Sequence, residues 1–174
     1  MALVLALFFP GCRKEEQAVV GVAKNAAQAE QKVQAAVTER DRERDELSKI
    51  PLPTKSLYIN IREPGEWENP FISADANYLN LRVTMADANP SPLGQGSMLR
   101  PAAARRQELQ IRPDKLAEAL IALPPGAWRY GRVVAIVESP LADRKKRAQV
   151  RRNVEAAIQK LNDLSVVVEE WPSR

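Results

Sequence analysis

Six cations fall within nine residues in the C-terminal third of the chain: Arg144, Lys145, Lys146, Arg147, Arg151 and Arg152. At helical spacing such side chains form a positive stripe suited to an anionic partner, whether lipid headgroups, an acidic polymer or an acidic protein surface. The alternative is a solvated helix face that Asp143 caps. Glu138 and Asp143 flank the end of an apolar run just upstream, and a carboxylate pair at a strand end can do acid–base work or hold a cation. Nothing else converges on them in sequence. The chain has no His and a single Cys, which excludes Ser-His and Cys-His catalytic pairs, cysteine-based zinc sites and an internal disulfide. The expectation is a non-enzymatic protein with no catalytic residue, no metal and no cofactor.

The single cysteine has its own context. Residues 2–9, Ala-Leu-Val-Leu-Ala-Leu-Phe-Phe, form an apolar run that ends in Pro10-Gly11-Cys12. The run is too short to span a bilayer, which needs about 20 apolar residues. The ending resembles a bacterial lipobox, which implies a signal over residues 1–12 and a lipidated Cys12. Phe9 and Pro10 depart from the usual small or aliphatic residues, and no Lys or Arg precedes the run. Two other readings stay open: a hydrophobic tail with an idle thiol, or the end of a longer transmembrane helix. Acyl chains at Cys12 would make membrane lipid a partner and would place the protein in the cell envelope, facing the periplasm, on the outer membrane of a Gram-negative cell. An exported protein does not meet nucleic acid.

The elements that would carry these residues can be read from period. Residues 13–50 hold one Gly, no Pro and many good helix formers. Val19, Val22, Ala26, Ala29, Val33 and Ala36 alternate steps of three and four, and after Arg40 and Glu43 the frame resumes at Leu47 and Ile50. This predicts a helical stalk, either a weak homo-oligomeric coiled coil or a single helix. Ile50-Pro51-Leu52-Pro53 ends it and opens a linker over 51–55. A folded domain occupies 56–174. Its strands are expected at Leu57–Arg62, Tyr78–Met85, Gln107–Arg112, Val133–Val137 and Val166–Trp171. Helices are expected over 113–123 and 141–164, and residues 87–104 form a flexible insertion. The fold class is α+β: a long N-terminal helix, then a small two-layer sandwich with two helices on one face of a mixed sheet. Trp67, Trp128 and Trp171 are expected to pack at the edge of the core.

The order ELQIRPDKLAEALIAL, RVVAIVES, VRRNVEAAIQKLNDLSVVVEE is similar to the periplasmic domain of the ExbD/TolR family, over roughly residues 56–171 with the 87–104 insertion. The resemblance implies an interaction and scaffolding domain in the envelope, with a protein partner there. Family members carry a proton-linked aspartate in a transmembrane helix. Residues 2–9 hold no acid, so proton-driven transduction does not carry over. A peptidoglycan-binding OmpA-like domain has a similar strand and basic helix, but its Thr-Asp and Asn-Arg pattern is missing after the VVAIVES strand.

Overall fold

The computed structural model describes residues 12–85 and 105–172, with the side chains of 12–24 and 26 left aside. The apolar run before Cys12, the Cys12 side chain and the 87–104 insertion therefore lie outside the described residues. The chain divides into two compact units, Met1–Glu39 and Arg40–Arg174. One helix, α1, runs over Cys12–Ser48. Within the first unit the described side chains of α1 are all exposed, including Val33 at 63% and Val37 at 39%. Among the described residues, no helix is long and apolar enough to cross a membrane.

The second unit is an α+β sandwich. Five strands form one mixed sheet: β1 Phe71–Ala74, β2 Leu79–Thr84, β3 Arg106–Ile111, β4 Val133–Glu138 and β5 Val167–Glu170. Their order is β3-β2-β1-β4-β5. β1–β2 and β2–β3 are antiparallel, while β1–β4 and β4–β5 are parallel. The helices α2 Leu116–Ile121 and α3 Arg147–Asp163 follow β3 and β4 in the chain. They pack on one face of the sheet, because both carry a narrow apolar stripe. On α3 it is Val150, Val154, Ala157 and Leu161, at steps of four, three and four. On α2 it is Leu116, Ala117 and Leu120. These residues join Ile72, Ala74, Leu79, Leu81, Val83, Val134 and Ile136 in the main core. β4 reads as a continuous apolar run because it is central and covered on both faces. β2 alternates because Asn80 and Arg82 point away from the helices.

The sheet begins later than its sequence pattern suggests. Leu57–Arg62 is not a strand. Lys55–Leu57 is a 3₁₀ turn, and Ile59 and Ile61 donate backbone hydrogen bonds to Lys55 and Tyr58. The alternating Leu57 and Ile59 are 54% and 47% exposed, whereas Tyr58 between them is buried. The first strand is instead β1, four residues long and preceded by Pro70, too short to show an alternation of its own. The second helix also starts late. Leu141 is 91% exposed on a turn closed by Ala142 N–H to Ser139 O at 3.1 Å. Asp143 then caps a 3₁₀ turn over Arg144–Lys146, and α3 begins at Arg147.

The last turns of α1 belong to this second unit, so the helix is not all stalk to residue 50. Leu47 is fully buried in the main core. Arg132 donates from Nη1 to Leu47 O at 3.2 Å, placing a cation at the carbonyl end of the helix, where the helix dipole favours it. Lys160 of α3 binds Glu43 at 2.6 Å.

A half-covered sheet face

The face of the sheet opposite the helices is covered by residues 51–70, which form no strand. This segment is tied down by side chains. Asn69 is buried and uses its whole amide: Nδ2 donates to Gly131 O at 2.8 Å and Val133 O at 2.9 Å, and Oδ1 accepts from Tyr130 N–H at 2.8 Å. Arg82 and Arg106, on neighbouring strands, donate to the carbonyls of Pro64 and Gly65. Trp67 Nε1 donates to Pro70 O at 3.2 Å. Around these ties lies a second cluster of Tyr58, Trp67, Phe71, Tyr130, Val133 and Ala135, with Trp171 packed against it. Trp67 meets Tyr58, Tyr130 and Trp171 edge to face, with centroids 5.3–5.9 Å apart, the geometry aromatic quadrupoles prefer.

The cover reaches only part of the face. Register places Phe71 beside Arg82 and Ala135, and that row lies under the aromatic cluster. Two residues along, Ser73 pairs with Asn80 and Val137, and this row is only partly buried. The step between the two rows is a groove of about 720 Å³. Its aromatic walls are Tyr58, Trp67, Phe71 and Trp171, and Ser73 and Asn80 lie along it. Its carboxylates are Glu108, Glu138, Glu169 and Glu170, and its cations include Lys55 and Arg82.

The charges in the groove are not equivalent. Arg82 sits 4.3 Å from the Phe71 ring centroid and opposite Glu108 in register, besides holding Pro64. Burial, then Arg106, lower its pKa, and Glu108 opposes the shift. Glu138 and Glu170 share Arg151, at 3.8 and 2.5 Å. Glu169 differs. It lies near the Tyr58 hydroxyl and helps raise its pKa, and it forms no salt bridge with a cation among the described residues. Arg62 also lines the groove.

No family model matches the chain, and no curated protein or solved structure is significantly similar to it.

The residues singled out in the sequence separate in space. Arg144, Lys145, Lys146 and Arg147 are exposed and carry no ion pair among the described residues. Arg151 leaves the stripe to bind Glu138, Glu155 and Glu170. Arg152 donates to Gln149 Oε1 at 2.6 Å. Gln149 is neutral, so Arg152 keeps its charge, and five of the six cations carry no ion pair among the described residues. Glu138 lines the groove, but Asp143 does not join it: its carboxylate accepts from Lys145 N–H at 3.0 Å as a turn cap. The two acids therefore do not form a pair. Among the described residues, no group of three or more Cys, Asp or Glu side chains is placed to hold a metal ion.

Sequence reasoning missed the groove. The one signal was composition: of nine aromatic residues in the chain, five meet here. Trp67 and Trp128 are core residues, at 1% and 6% exposure, but Trp171 is only partly covered.

The phenols give a pH prediction. Burial, then Glu169, raise the Tyr58 pKa above 10.0; burial, chiefly, raises that of Tyr130. A raised acid pKa means that the fold holds the proton more tightly than the unfolded chain. The stabilisation is complete below the unfolded value, about pH 10, and is lost as pH climbs through the folded value. Ultraviolet titration of phenolate should show Tyr58 and Tyr130 ionising above the ordinary tyrosine range and together with unfolding. Ionisation of both at the ordinary value with the fold intact would contradict this.

Proposed function

We propose that the protein is a lipid-anchored, non-enzymatic component of the bacterial envelope, held through Cys12, whose folded unit binds a basic side chain of a protein partner in the sheet-face groove. The observation that carries the binding half of this reading is Glu169. It is a carboxylate that forms no salt bridge among the described residues, and it lines the groove together with Tyr58, Trp67 and Trp171. Aromatic walls receive the aliphatic stem of a lysine or arginine and attract its charge through the ring faces, while a carboxylate takes the cationic head. Support for an ExbD/TolR-like scaffolding role comes from the order β3, α2, β4, α3, β5. An exposed helix preceding the folded unit suits a stalk, with weak self-association through its Val33 side.

The test is a titration of the full chain followed by tryptophan fluorescence. An acetylated, amidated trilysine should change the emission saturably, and Glu169→Gln should weaken the affinity at least tenfold, the size expected for a charge-assisted contact of about 1.5–3 kcal/mol. An acidic peptide of the same length should leave the emission unchanged. Equal responses to both peptides, or an affinity indifferent to Glu169→Gln, would remove the proposal.

A further inference from the structure

A second surface is independent of the groove's interior. Leu141 is 91% exposed at the tip of the turn between β4 and α3. A lone exposed leucine is ordinary, but Leu141 is not isolated. It lines the same groove as Ile59, itself 47% exposed, so the groove carries two exposed apolar side chains. Directly after the tip come Arg144, Lys145, Lys146 and Arg147, all exposed and all without an ion pair among the described residues. The only acid in this stretch, Asp143, is occupied by the Lys145 backbone N–H. An apolar tip beside four unneutralised cations matches the boundary of an anionic bilayer, where headgroups take the charges and the acyl region takes the apolar side chains.

We infer that the Leu141–Arg147 turn is a peripheral contact for an anionic membrane surface. A soluble polyanion would use the four cations and leave Leu141 and Ile59 in water, so the exposed apolar side chains favour the bilayer. The contact does not rest on the acyl chain or on the groove's choice of ligand. It orients the folded unit with its groove toward the lipid surface.

The experiment is flotation of the full chain carrying Cys12→Ser, so that no acyl chain contributes, with vesicles of phosphatidylcholine containing 0 or about 30% phosphatidylglycerol. Binding is expected to the anionic vesicles alone and to fall with salt. K145E/K146E should lower the partition coefficient at least about 25-fold, since each cation near an anionic surface contributes about fivefold. Leu141→Ser should lower it roughly tenfold through lost apolar insertion. Both changes fall on exposed positions, and unchanged circular dichroism will show that the fold is intact. Loss of binding in K145E/K146E with none in Leu141→Ser would identify a polyanion site and overturn the membrane assignment, as would equal flotation with both vesicle types or none with either. Each of these results leaves acylation at Cys12 untouched, because that residue is absent from the test protein.

Discussion

Gly131→Ala is expected to destabilise the folded unit by about 3 kcal/mol, seen as a lower denaturant midpoint with an unchanged slope. Gly131 has φ of +84°, which costs a residue with a side chain about 1–2 kcal/mol. An added Cβ would also stand 2.5 Å from Leu52 O and 2.9 Å from Pro51 O, both backbone atoms. The Pro51–Leu52 backbone cannot yield freely. Arg132 N–H donates to Pro51 O at 2.8 Å, and Thr54 N–H donates to Tyr130 O at 2.9 Å. Pushing that strap away forfeits at least one of these bonds, about 1 kcal/mol more. The substitution also lands on the peptide whose carbonyl accepts from Asn69, so loosening should spread to the aromatic cover and be visible in the tryptophan emission. A midpoint within about 0.5 kcal/mol of the parent would mean that the strap is not held as described.

Leu47→Ala should cost a comparable 2–5 kcal/mol, the usual range for emptying a fully buried leucine site. Leu47 is 0% exposed and contacts the main core. Val33→Ala on the same helix removes a side chain that is 63% exposed and should shift stability by less than about 0.5 kcal/mol. The contrast distinguishes two kinds of residue on one helix. If α1 were a stalk throughout, both substitutions would be equally mild. If a coiled coil dominated the stability of the chain, Val33→Ala would be the costly one, and its effect would depend on protein concentration.

The two substitutions mark where sequence pattern carries structure and where it does not. β2 and β4 were legible because burial writes itself into the chain as alternation on a half-covered strand and as a continuous apolar run on a central one; β3 and β5, which hold no buried residue, were legible from alternating or β-branched residues instead. α2 and α3 were legible through stripes of period near 3.6. β1 was not, since Phe71-Ile72-Ser73-Ala74 is too short to show a period and owes its place to pairing with β2 and β4 on either side. Leu57–Arg62 deceived for a related reason. Its apolar residues alternate, yet Tyr58, the residue out of phase with them, is the one that packs. Leu47 continues the stepping of the stalk residues, so period could not separate the part of α1 inside the folded unit from the part outside it. The groove left no linear trace at all. Tyr58, Ser73, Asn80, Glu138 and Glu169 come from five separate segments and meet only through sheet register and the partial reach of residues 51–70. The basic run was legible as charge, but its division was not: Arg151 alone faces Glu138 and Glu170, because of where α3 crosses the ends of β4 and β5.

The proposed anchoring at Cys12 is what would place the folded unit in the envelope. Mass spectrometry of the native protein, purified in detergent from the envelope fraction, tests it most directly. The expected result is a mature chain that begins at Cys12 and carries a thioether-linked diacylglycerol, with or without a third acyl chain on the amine. A chain that retains Met1 and a free Cys12 thiol would contradict it.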